Sequence, residues 1–284
     1  MKYSVLDYLQ ITDEKKDPPL SGPIMSHEIM MLGTGNAFLP NGRHHSLALF
    51  NRKHLIDAPP TALISMRNHG ISPADIETIF ITHLHGDHIF GLPFILLERK
   101  YISDRENLRS LTIVAADGAR ERITQLCNAA YPNSLDTILE KINWISSDIG
   151  ITNDGWEWER FPVFHDDEVD PFGYRFVNDD ASFVHSGDSG PCERLYQEIK
   201  KSQLAIIEMG IPEWVPNNQH HKPSDIEAVA VKFSSVKFAV THTYIDSKTS
   251  NETPITEANL PIHPSNVYHA EDGDIFTWKG NWDW

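Results

Sequence analysis

Residues 79–88 read Ile79-Phe80-Ile81-Thr82-His83-Leu84-His85-Gly86-Asp87-His88. A short apolar run with strand character leads into six residues that carry three imidazoles and a carboxylate. Core packing has no use for such a run, whereas imidazole and carboxylate are preferred ligands of Zn²⁺ and similar borderline metals. The spacing adds direction. His83 and His85 stand two apart, so on extended backbone their side chains point to one face. Asp87 and His88 follow where Ile89-Phe90-Gly91-Leu92 predicts a helix start. Four ligands so placed can be divided between two adjacent ions, and the stretch reads as a strand that ends in a metal site.

Thr82-His83-Leu84-His85-Gly86-Asp87-His88 resembles the signature of the metallo-β-lactamase-fold hydrolases. That resemblance implies three more ligands, a His, a bridging Asp and a final His, and candidates follow in this order. His165 comes after the strand-like run from Trp158 to Phe164, Asp188 lies in His185-Ser186-Gly187-Asp188-Ser189-Gly190, and His242 ends the run from Val236 to Thr241. Each stands where a strand gives way to a loop, the usual seat of site residues on a rigid scaffold. Further segments resemble the RNase Z-like phosphodiesterase branch: Leu32-Gly33-Thr34-Gly35-Asn36-Ala37, Arg43-His44-His45-Ser46, His54-Leu55-Ile56-Asp57-Ala58, Ala205-Ile206-Ile207-Glu208 with His221, and Ala270-Glu271-Asp272-Gly273.

The resemblance spans most of the chain, from about Glu28 to Trp278, and implies an α+β fold, the four-layer αββα sandwich. It assigns His83, His85 and His165 to one divalent ion, Asp87, His88 and His242 to a second, and Asp188 to both. Zn²⁺ is the first expectation for the ions and Mn²⁺ the alternative. The implied chemistry is attack by a metal-bridging hydroxide on a phosphodiester. Catalytic roles then fall on Asp87, on His221 as general acid, and on Glu208, which orients and charges that ring. His220 is the adjacent alternative, and the helix start at Pro223 favours His221.

Composition narrows the substrate. Forty acidic residues face 24 basic ones, for a formal charge of −16, and no Lys/Arg cluster offsets them. Such a surface repels a long polyanion and leaves a small anionic substrate as the expected partner. Long-arm members of the branch carry a tRNA-binding insertion between the third-motif His and the bridging Asp. Here residues 166–187 offer no room for it, because Gly173–Phe176 and Ala181–His185 take up much of the interval. A small phosphodiester such as a cyclic nucleotide is therefore the leading expectation. A tRNA 3′-end endonuclease and an ester or thioester hydrolase are the alternatives.

The remaining features are ordinary. A hydrophobic fraction of 40 % supports a packed core, no run is apolar enough to span a membrane, and the N-terminus lacks a signal-peptide pattern. Cys127 and Cys192 suggest no disulfide framework, so a cytoplasmic setting is expected. Residues 1–27 read as an N-terminal extension and 28–284 as one hydrolase domain. Trp278, Trp282 and Trp284 are assigned to core packing, with a homodimer interface as the second use. Strands are expected at 28–32, 46–50, 54–57, 77–81, 111–115, 157–164, 173–176, 181–185, 204–208, 236–241 and 275–278. Helices are expected at 60–69, 89–99, 119–130, 193–201 and 223–233.

Overall fold

The first strand, β1 (Glu28–Gly33), is apolar on both faces. Ile29 and Met31 turn one way, Met30 and Leu32 the other, and all four are buried. A strand of this kind needs cover on both sides, and that requirement sets the architecture. The structure, a computed structural model, describes residues 27–246 and 256–283. The expected extension over residues 1–27 lies, His27 apart, outside the described residues.

From β1 the first sheet grows through β2 (Leu47–Phe50), β3 (His54–Ile56), β4 (Thr78–Phe80), β5 (Leu111–Val114) and β6 (Ile142–Ile145). The chain then builds a second sheet from β7 (Ile149–Ile151), β8 (Glu157–Pro162), β9 (Phe172–Asn178), β10 (Ala181–His185), β11 (Leu204–Glu208), β12 (Lys237–Thr241) and β13 (Val267–His269). Finally β14 (Ile275–Trp278) and β15 (Trp282–Asp283) return to the first sheet, whose order is β15-β14-β1-β2-β3-β4-β5-β6. The second sheet runs β13-β12-β11-β10-β9-β8-β7. Within each sheet the strands that matter for the site are parallel: β3 to β6 in the first and β10 to β13 in the second.

Three apolar layers follow from the alternation of side chains. Phe50, Phe80, Trp156, Phe176, Phe183, Phe276 and Trp282 fill the space between the sheets. Helices α1 (Ala62–Asn68), α2 (Gly86–Ile89), α3 (Leu92–Glu98), α4 (Ala119–Ala130) and α5 (Asp136–Leu139) contribute to the core on the outer face of the first sheet, against Leu32, Ile79 and Ile81. Leu195 and Ile199 of α6 (Glu193–Lys200), with Ile226 and Val229 of α7 (Pro223–Lys232), do the same on the second, against Ile207 and Phe238. The αββα sandwich expected from sequence is the fold observed.

Local differences have physical reasons. The strand expected to reach Phe164 stops at Pro162, which has no amide hydrogen for a ladder. Strands β6, β7, β13 and β15 escape sequence reading because they are two to four residues long and partly exposed. Trp282 is fully buried between the sheets and its indole donates to the Ser182 carbonyl at 3.0 Å. It is thus core, as is the buried Trp278; Trp284 lies outside the described residues. Among the described residues no helix is long and apolar enough to cross a membrane.

Candidate metal centre

The carboxyl ends of β4, β8, β10, β11 and β12 lead into most of the side chains that the sequence marks as candidate site residues. Two of the strands involved end in left-handed backbone at residues other than glycine, Asp57 after β3 (φ 71°) and His242 after β12 (φ 49°). Such residues are uncommon and concentrate where a site fixes them. Gly187, between β10 and Asp188, has φ 61°, and a Cβ there would lie 2.6 Å from the Phe172 carbonyl. The loop after β4 is sewn to the second sheet by the Tyr174 hydroxyl on the Ile81 carbonyl and by the Phe172 amide on the Thr82 carbonyl.

All seven expected ligands converge, in two sets. Donor atoms of His83, His85 and His165 lie within 4.8 Å of one another, and so do those of Asp87, His88, Asp188 and His242. In the first set, His85 Nδ1 stands 3.1 Å from His83 Nε2 and 3.2 Å from His165 Nε2. Asp188 Oδ2 lies between the sets, 3.8 Å from His83 Nε2, 3.5 Å from His88 Nε2 and 3.2 Å from His242 Nε2. Asp87 approaches both His88 Nε2 and His242 Nε2 at 3.5 Å.

Second-layer bonds decide which nitrogen of each ring is free. His88 Nδ1 donates to Asp57 Oδ2 at 2.7 Å, and Asp57 also receives the Thr82 amide and hydroxyl. His165 Nδ1 donates to the Gln219 carbonyl at 3.1 Å. Both rings therefore present an Nε2 lone pair to the cluster, the arrangement a carboxylate or carbonyl imposes on a metal-bound imidazole.

The residues fit divalent ions. Tetrahedral ligands 2.0–2.1 Å from an ion stand about 3.3 Å apart, close to the imidazole spacings of the first set. His88 Nε2 and both ring nitrogens of His242 are buried without a hydrogen-bond partner, an arrangement that is costly unless something else binds them. Burial opposes charge at Asp188, yet His242 and His88 hold its carboxyl well below the usual carboxylate range. Burial likewise opposes charge at His88, while Asp188, Asp57 and Asp87 push that imidazole well up. The carboxylates call for positive charge here, and a divalent cation held by the imidazole lone pairs would supply it.

The structure separates the two adjacent histidines, and it corrects the assignment to His221. His221 is fully buried and turned away, with Nδ1 donating to the Ser189 carbonyl and Nε2 3.3 Å from the Tyr196 hydroxyl. His220 faces the cluster. Its Nδ1 lies 2.8 Å from Glu208 Oε1, and its ring sits 4.9 Å from His165 and stacks on His242 at 5.8 Å. Glu208 is itself pinned by the amides of Ser189 and Gly210. Burial works against a charge on His220, but the Glu208 carboxylate and its hydrogen bond push the ring up to about 9. Consecutive residues ahead of α7 point to opposite sides, so only one of the pair can face Glu208.

Of the segment 43–45, Arg43 is buried and bound to the Thr34 hydroxyl, the Ala270 carbonyl and Glu271. His44 Nδ1 lies 2.6 Å from the Ser65 hydroxyl on α1. His45 is buried close to the cluster, with Asp87, His88 and His242 as its strongest electrostatic neighbours. Sequence alone offers no means of ranking these three.

The comparisons with known proteins agree with this geometry. Over 200 residues the chain is 29 % identical to a ribonuclease Z of Listeria monocytogenes, covering 64 % of this chain and 61 % of that protein. Over 197 residues it is 31 % identical to a ribonuclease BN of Citrobacter koseri, with 64 % and 62 % covered. The chain thus spans about three fifths of the length of the curated relatives it matches. Among solved structures, the metallo-β-lactamase-fold protein YhfI from Bacillus subtilis superposes with a TM-score of 0.68 at 14 % identity, covering 89 % of this chain and 99 % of that one. Human short-form tRNase Z superposes with a TM-score of 0.66 at 20 % identity, covering 87 % and 98 %. Fold and site therefore define an RNase Z-like member of the metallo-β-lactamase-fold hydrolases. Within that class, residues 27–231 match the family of the anti-Pycsar protein Apyc1, and the chain belongs to that family.

Proposed function

We propose that this protein is a metal-dependent phosphodiesterase that hydrolyses a small phosphodiester such as a cyclic nucleotide. The observation that supports the reading is the placement of the Glu208–His220 pair beside two clusters of candidate donors, with Asp188 of the second 3.8 Å from His83 of the first. His83, His85 and His165 would hold one ion and Asp87, His88 and His242 the other, with Asp188 common to both; Zn²⁺ is the first candidate and Mn²⁺ the second. Divalent ions at these positions supply Lewis acidity toward a phosphoryl group and toward water. The protein's own groups do the rest. Asp57 and the Gln219 carbonyl hold ligand rings in the tautomer that binds metal. Glu208 keeps His220 protonated and oriented, and His220 passes its proton from Nε2 to the departing oxygen.

The small substrate is supported by the charge of −16 and by the short interval between His165 and Asp188. A cytoplasmic setting and a homodimer belong to the same reading; Ile64, Phe90 and Phe94, on and beside α1 and α3, are exposed apolar side chains that a second copy could cover. A second reading, cleavage at the tRNA 3′ end, is favoured by the names of the curated relatives, which are ribonucleases Z and BN. Nitrophenol release from bis(p-nitrophenyl) phosphate by Zn²⁺- and Mn²⁺-loaded protein tests the phosphodiesterase chemistry. A panel of cyclic nucleotides set against precursor tRNA then separates the two substrates. Turnover of tRNA with cyclic nucleotides untouched would overturn the first reading. Inertness toward all phosphodiesters would turn attention to esters and thioesters.

A further inference from the structure

One imidazole beside the cluster belongs to neither ligand set and is not the proton donor. His45 follows the turn after β1, where its position is tightly fixed. Its amide donates to Thr61 Oγ1 at 3.0 Å, and residue 45 forms a strand bridge with Gly35. A Cβ on Gly33 would fall 2.0 Å from the His45 carbonyl, so only glycine lets this segment approach β1 so closely. The ring is anchored as well, with Nδ1 3.2 Å from Thr61 Oγ1. The Thr61 hydroxyl already accepts the His45 amide and has one hydrogen to give. Giving it to Nδ1 leaves the ring's own proton on Nε2. That Nε2 has no hydrogen-bond partner among the described residues, although His45 is only 8 % exposed.

The Ser46 hydroxyl, 3.2 Å from Thr241 Oγ1, and the bridge between Gly35 and Thr243 hold this segment against the chain on both sides of His242, yet His45 joins none of the clusters of donor atoms that could hold an ion. A solvent-reachable N–H without a protein partner, beside the cluster but outside its sets of donors, is free to donate to an oxygen of something bound there. The nearest arginine in sequence cannot take this role, because Arg43 is committed to Thr34, Ala270 and Glu271. His45 and His220 share a design: each is held through Nδ1 by a side-chain oxygen, Thr61 or Glu208, and each leaves Nε2 unpaired by protein.

We propose that His45 is a substrate-contacting residue, whose Nε2–H donates a hydrogen bond to a phosphoryl oxygen of the bound phosphodiester. The proposal rests on the phosphodiesterase reading. A neutral donor preset toward an oxygen that gains negative charge during the reaction contributes mainly to kcat, with removal costing roughly 10²-fold.

The test compares wild type with His45→Phe, His45→Gln and Thr61→Val, each Zn²⁺-loaded and checked for fold by circular dichroism. Metal content is read by mass spectrometry, kcat and KM with bis(p-nitrophenyl) phosphate, and inorganic phosphate affinity by calorimetry. The expected result is unchanged metal content throughout, with kcat down about 10²-fold and phosphate binding about tenfold weaker in His45→Phe. His45→Gln, whose amide can donate, should recover part of the loss, and Thr61→Val should fall between. Wild-type kcat and phosphate affinity in His45→Phe would overturn the proposal, as would loss of metal in both His45 variants. Phosphate binding reads the hydrogen bond without turnover. Metal-loaded wild type that cleaves no phosphodiester, yet binds phosphate through His45, would sink the phosphodiesterase reading and leave the contact standing.

Discussion

The two halves of the sandwich build the metal centre by different means. The first half offers four donors from one loop, residues 83–88, and braces His88 through Asp57, which ends a neighbouring strand of the same sheet. The second half offers His165, Asp188 and His242 from three separate strand ends. It braces them through the segment after β11, where Gln219 holds His165 and His220 leans on Glu208. One half is a local chelate. The other depends on the parallel register of β10, β11 and β12, in which His185 stands opposite Ile206 and Glu208 opposite Thr241. A slip of one residue there would turn Glu208 to the wrong face, whereas no comparable slip can separate His83 from His85.

The strongest way to break this comparison is to remove the residue both halves use. Asp188→Ala is expected to lower turnover of bis(p-nitrophenyl) phosphate by at least about 10³-fold and to leave fewer than two ions per chain by mass spectrometry. Full metal content in that variant would show that the local chelate and the assembled ligands are independent.

Next in size is the contrast between adjacent histidines of the second half. His220→Ala should reduce kcat by about 10²–10⁴-fold with metal content unchanged, the range for losing a proton donor. His221→Ala should leave kcat within a few-fold but destabilise the fold by about 1–3 kcal/mol, because the Ser189 carbonyl loses its buried donor. The reverse pattern in kinetics and urea denaturation would return the acid role to His221.

A smaller effect sharpens the account of the first half. Asp57→Asn keeps the shape but weakens the brace on His88, and should cost 10–100-fold in affinity for an ion at the proposed Asp87, His88 and His242 set. Competition with a chromophoric chelator measures it, and equal loss at both sets would contradict the separation of roles.

The smallest effect concerns acid. His269, on edge strand β13, accepts no proton easily: burial pushes its ring down to about 4, with His263 and Arg43 adding to the shift. His263 Nε2 donates to the Pro223 carbonyl, which leaves its Nδ1 to accept from His269 Nε2 at 3.0 Å. An unfolded histidine titrates near 6.5, so the unfolded chain binds this proton more tightly than the folded one. The contribution is fully present above about pH 6.5 and is lost as pH falls toward 4. Urea denaturation at about pH 7 and about pH 4.5 should show a loss of roughly 1–2 kcal/mol that His269→Phe diminishes. Hydrogen exchange in the same range should loosen β12 and β13 before β3 to β5.

This asymmetry also explains what could be read from sequence. His83, His85, Asp87 and His88 lie within six residues, so their chemistry is visible without a fold. His165, Asp188 and His242 became legible only through the order a resemblance implies, since nothing local marks one loop histidine among 15. Most strands carrying the core are continuous apolar runs such as Ala205-Ile206-Ile207, and were readable for that reason. Whether His220 or His221 meets Glu208 depends on the path of residues 209–222 from β11 to α7, a tertiary fact with no periodic signal. The proximity of His45 to the centre depends in the same way on the fit of the 43–45 turn against β1 and Thr61.

The return of β14 to pair with β1 has a consequence for the order in which the molecule can be made. Glu28 faces Thr277 and Met30 faces Ile275, so strands from opposite ends of the described chain share one ladder. Phe276, Trp278 and Trp282 belong to the core between the sheets. During synthesis the loop of residues 83–88 leaves the ribosome long before these side chains exist. The nascent chain thus carries a metal-hungry segment on a sheet whose inner face is still open to water. Ion capture ahead of closure and closure ahead of ion capture are two distinct routes to the same molecule, and the late arrival of β14 and β15 leaves time for the first.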